Sequence, residues 1–179
     1  RSKTFDGIAE AMFQQWISGR DYEGKYKPYG SYGNGSAMRV SPVVWIGDDY
    51  AEDAKKSAEV THSHPEGIRG AQAVAFAIHS ARKGSPPALI RREVSDKYGY
   101  DLTESVDDIR EWYDFDETCQ GTVPQAIICA LEATSFEDAI RNAISIGGDS
   151  DTVAAITGSI AQPIFWIPKY IREKAMSYL

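Results

Sequence analysis

Three histidines and two cysteines are all the soft-ligand and thiol chemistry that these 179 residues contain. Cys119 and Cys129 have no His or Cys at ligand spacing beside them, which leaves them no metal or redox role. They are expected to be reduced core thiols of a cytoplasmic protein. Basic residues are also scarce: 19 Lys and Arg face 26 Asp and Glu, for a net charge of −7. General nucleic-acid binding is excluded on that balance, because counterion release needs clustered cations. No apolar run approaches the roughly 20 residues that span a bilayer, so no membrane helix is expected. Sustained period-two alternation is missing too, as are internal repeats and low-complexity linkers.

What remains is helical periodicity. Phe5, Ile8, Met12, Phe13 and Trp16 fall on one face of a helix over Thr4–Trp16. A Gly- and Tyr-rich stretch, 19–35, follows and is too rich in turn formers to be helix. Ala51, Ala54 and Ala58 mark a helix over 51–60. Ile68, Ala71, Ala75, Ile78 and Arg82 mark another, stopped by Gly84-Ser85-Pro86-Pro87. Shorter helices are expected over 90–98 and 106–113. Thr122-Val-Pro-Gln125 reads as a capping box with proline in the first turn. Ser135-Phe-Glu-Asp138 repeats the pattern before a helix to 146, and a last helix begins near Pro168. "SPVVWI" (41–46) is β-like by propensity, yet stands alone and fits buried loop or helix equally. The expectation is an all-α, single-domain multi-helix bundle, well within the size at which one core suffices.

Three stretches carry chemistry. In "GGDSDT" (147–152), Gly147-Gly148 stops one helix and an aspartate caps the next, a favourable place for a carboxylate. Capping explains one aspartate; two carboxylates and a hydroxyl at i, i+2 and i+3 also suit a hard cation such as Mg²⁺. In "SYGNGSAMR" (31–39), glycines flank Asn34, so backbone N–H groups can line an anion-binding concavity, with Tyr32 as a stacking face. A plain Gly-rich turn fits the same residues. In "THSHPEGIRG" (61–70), His62 suits ligand contact, but His62 and His64 two apart make poor zinc geometry without a third ligand. His79 is expected to be structural, and "IGDDYAED" (46–53) a solvated loop.

Taken together, "PYGSYGNGSAMRVSPV", "AKKSAEVTHSHPEGIRGAQAVA", "FDETCQGTVPQAI" and "FEDAIRNAISIGGDSDTVAAITGSIA" resemble the ADP-ribosylglycohydrolase family over essentially the whole chain. The resemblance implies an all-α fold with a centre of two Mg²⁺ or Mn²⁺ ions. It implies hydrolysis of the N- or O-glycosidic bond joining ADP-ribose to a protein side chain or small acceptor. By that resemblance Asp149, Asp151 and Thr152 match metal ligands. Ser31, Tyr32, Gly33 and Asn34 match the loop that cradles ADP-ribose, and His62 lines the same pocket.

The family's upstream T-D-D-T motif and a further upstream catalytic acid do not occur in residues 1–179. Three accounts follow. The chain is the C-terminal part of a longer protein, or it binds ADP-ribose without cleaving it, or it is a structural descendant. The first is the expectation, because the sequence opens at Arg1 inside a helical pattern. An uncovered apolar face would then make a homo-oligomer plausible.

Overall fold

A computed structural model describes residue 28 and residues 30–178. The expected helix over 4–16 lies outside the described residues. Within them every regular element is a helix: α1 (Gly35–Met38), α2 (Ser41–Ile46), α3 (Tyr50–Glu59), α4 (Pro65–Arg82), α5 (Pro87–Tyr98), α6 (Val106–Trp112), α7 (Cys119–Glu132), α8 (Phe136–Ser145), α9 (Ser150–Phe165) and α10 (Lys169–Met176). The all-α expectation holds. Among the described residues no helix is long and apolar enough to cross a membrane.

Two helices make the centre. α4 buries Gly67, Gly70, Ala71, Ala73, Val74, Ala75, Ala77, Ile78, Ser80 and Ala81. Small side chains over most of its circumference let its neighbours approach closely, while Glu66, Arg69, Gln72 and His79 keep one stripe partly exposed. α7 is buried from Cys119 through Leu131, apart from Gln120 and Gly121. α9 packs on α4, α7 and α8, while α3 and α5 cover the other sides of α4. One continuous cluster, including Val40, Ile78, Ile90, Leu102, Ile109, Ile127, Ile156 and Ile160, runs through these contacts.

Several helix starts are set by caps that the sequence patterns did not identify. "SPVVWI" is helical, with Pro42 in the first turn and Val44 buried against the core. Asp49 caps α3, accepting from Ala51 N (3.1 Å) and Glu52 N (3.2 Å), so "DDYAED" is a helix entry rather than a solvated loop. α7 starts before the expected box. Thr118 is the cap, accepting from Gly121 N at 3.1 Å, and the Asp116 carboxylate holds Thr118 N at 2.7 Å. Pro124 consequently lies inside α7. Ser135 caps α8 as expected, accepting from Asp138 N at 3.1 Å, but Asp138 reaches back to Thr134 N (2.8 Å) instead of closing the box.

Candidate functional site

The "SYGNG" loop is held by backbone first. Asn34 N donates to Glu117 O (2.7 Å) and Cys119 N donates to Tyr32 O (2.9 Å), giving one antiparallel bridge between Gly33 and Thr118. α4 comes up beneath it. A Cβ on Gly67 would stand 2.7 Å from Ser31 O, so only glycine admits this approach. Ser36 Oγ closes the joint by donating to Gly67 O at 2.7 Å. Buried Ser31 accepts from Gly33 N at 3.1 Å, and Tyr32, 43% exposed, meets His64 edge-on.

Asn34 connects this loop to the paired aspartates. Its side-chain amide donates to Thr122 Oγ1 (3.0 Å) and to Asp149 Oδ2 (2.7 Å), across 115 residues of sequence. Thr122 passes its own proton to Asp116 O at 2.8 Å. Asp149 is the residue before α9, yet its side chain makes no capping bond to that helix. Thus the helix-cap explanation of the carboxylate fails, and its oxygen is committed to the loop. Burial pushes the Asp149 carboxyl above its ordinary range; Asp151 beside it adds to that, while the Asn34 and Thr152 hydrogen bonds oppose it. Asp151 is exposed, and buried Thr152 donates to Met38 Sδ at 3.6 Å.

His62 lies on the other side of the loop, with Nε2 close enough to Gly35 that a Cβ there would come to 3.3 Å. Its Nδ1 shares a 2.6 Å hydrogen bond with Thr61 Oγ1, which also accepts from Arg39 Nη2 at 2.9 Å. Burial, and secondarily the Arg39 charge, lower its pKa from 6.5 to about 4. The ring is therefore neutral at physiological pH. His64 takes no such place: it caps α4, accepting from Glu66 N at 3.1 Å. His79 stacks on Tyr50, with ring centres 4.2 Å apart, as a structural residue would.

Sequence patterns did not single out Thr122, Asp116 or Thr61 for this cluster. Only the Thr-x-x-Gln spacing drew attention to Thr122, and it suggested a cap. Among the described residues no three His, Cys, Asp or Glu side chains converge as a metal-binding group.

A helical domain with a glycine loop tied to a paired-aspartate helix start is the class these observations define. A family model described as ADP-ribosylglycohydrolase matches residues 3–162, and the chain belongs to that family. It is similar to the ADP-ribosylarginine hydrolase Tri1 of Pseudomonas putida, at 28% identity over 182 residues covering 90% of this chain and 47% of Tri1. It is also similar to the ADP-ribosylhydrolase ARH3 of Homo sapiens, at 29% identity over 182 residues covering 74% of this chain and 50% of ARH3. A solved structure of an ADP-ribosylglycohydrolase-related protein complex shares the fold with a TM-score of 0.68 at 23% identity, covering 96% of this chain and 66% of that one. The chain spans about half the length of the curated relatives it matches.

Proposed function

We propose that this chain supplies one half of the active site of a divalent-metal-dependent ADP-ribosyl hydrolase. Its substrate would be ADP-ribose joined through a glycosidic bond to a protein side chain or small acceptor. The observation that carries the reading is the Asn34–Asp149 bond, which fastens a glycine-rich loop to a carboxylate that caps none of the N–H groups of its own helix. Packing alone requires neither feature.

The donor set fits a hard cation in part. Asp149, Asp151 and Thr152 offer only oxygen, as Mg²⁺ and Mn²⁺ prefer, and the two carboxylates cover half or less of an octahedral shell. In this reading those three residues would hold the metal. A bound divalent cation supplies an acidified water and polarises oxygen ligands. This chain's residues do the rest. Asn34 fixes the orientation of Asp149, and the glycine-rich backbone at Gly33 and Gly35 would lie against the diphosphate. Tyr32 offers a ring face, and neutral His62 lines the ribose side. A carboxylate of the pair steadies positive charge as the glycosidic bond lengthens.

Calorimetric titration of ADP-ribose with Mg²⁺, and again with chelator, tests this. Binding that needs Mg²⁺ and is lost in Asp151→Ala is the expected result. Binding indifferent to both would remove the metal from the reading. A second reading, ADP-ribose binding without cleavage, draws on the lack of a third converging acid among the described residues. Turnover assays on the longest encoded form separate the two.

A further inference from the structure

Gly148 turns the chain into Asp149, and one neighbour dictates that it be glycine. A Cβ there would lie 2.5 Å from Tyr113 Cε1, 3.2 Å from Cδ1 and 2.9 Å from Asp114 O. The Tyr113 ring is therefore the wall on which the turn rests. The ring is fixed from behind: Trp112 meets it edge-on at 5.9 Å, and Trp112 Nε1 donates to the Glu104 carboxylate at 3.0 Å. Just beyond the wall, Asp149 ignores the N–H groups of α9 and takes the Asn34 amide instead. The Tyr113 hydroxyl is buried beside the Thr122 hydroxyl, which also accepts from the Asn34 amide. Phenylalanine would occupy the same place and keep the wall, giving up only the polar contact to Thr122.

We infer that Tyr113 is a positioning residue: its ring holds the 147–148 turn so that Asp149 takes the Asn34 amide rather than capping the N–H groups of its own helix. The proposal rests on the functional reading above only where ligand binding is measured. The side-chain amide resonance of Asn34 reports the bond to Asp149 in the ligand-free protein, and calorimetry reports ADP-ribose affinity.

Tyr113→Phe keeps the ring and loses only the hydroxyl's contact with Thr122, so it should move both far less than loss of the ring does. Tyr113→Leu keeps apolar bulk but no flat wall. It should move the Asn34 amide to its solvent value and weaken ADP-ribose binding by about tenfold or more, as losses in the shell behind a ligand do. Val94→Ala empties part of the core on α5, away from the site, and should lower the thermal midpoint while moving neither readout. An Asn34 amide unmoved in Tyr113→Leu, or moved equally in Tyr113→Phe, overturns the inference. If the amide responds as expected but the unaltered protein binds no ADP-ribose, the positioning role stands and the proposed function falls.

Discussion

His62 is a base that the fold keeps from taking a proton. With its pKa lowered from 6.5 to about 4, the unfolded chain binds a proton between those values that the folded protein refuses. Stability must therefore rise with pH across this window, being complete above 6.5 and lost as pH falls toward 4. Allowing for screening beside a loop open to solvent, the effect is about 2 kcal/mol or less. Asp149, with its carboxyl pushed up, acts in the opposite sense: it favours the fold at low pH and fades as pH rises. Comparing the protein with His62→Gln cancels the Asp149 share. Urea midpoints taken from pH 7 to 4 should fall more steeply for the unaltered protein than for His62→Gln, and parallel curves would contradict the assignment. No local pattern foretells that titration. The family resemblance proposes His62 as a pocket residue, but its neutrality comes from burial and from Arg39, 23 positions earlier.

Helices, as elements, were largely legible, because a 3.6-residue period survives in α3, α4, α7, α8 and α9 whatever surrounds them. Their beginnings were less so. α7 starts at Cys119 because Asp116 holds Thr118 N, and "SPVVWI" is helical because Val44 has a core to enter. The first is a local cap the pattern did not single out, and the second is tertiary context overriding a β-like propensity. The turn between α8 and α9 was legible as a stop but not as a wall contact. Gly147 and Gly148 both have positive φ, +79° and +65°, yet only Gly148 has neighbours within 4 Å of a Cβ. Gly147→Ala should then cost only the left-handed backbone penalty, about 1–2 kcal/mol. Gly148→Ala adds a collision with Tyr113 and should cost about 2–5 kcal/mol. Denaturant unfolding of the two variants is the check, and equal losses would mean that the ring yields freely.

At the scale of the whole molecule, the question is whether one cooperative core holds loop and aspartate helix together. The Asn34–Asp149 bond joins residues 115 apart, a distance no motif spacing encodes. Such a site keeps its geometry only if the helices between its halves do not open separately. The two thiols are natural reporters, since they sit at opposite ends of α7. Cys119 lies at the loop, with Sγ 3.5 Å from Ser36 Oγ and donating to Gly33 O at 3.2 Å, while Cys129 lies deep in the main cluster. Burial pushes both up, to about 11 and about 12, so neither reacts as thiolate in the folded protein at neutral pH. Labelling therefore waits on opening. With one thiol kept at a time, in Cys119→Ser and Cys129→Ser, a disulfide reagent should label both single-thiol proteins slowly and at one rate in the absence of denaturant. Equal rates follow if unfolding of the single core exposes both ends of α7 together. A Cys119 that reacts well before Cys129 would show the loop opening alone, and would place the loop half of the proposed site on a separately mobile unit.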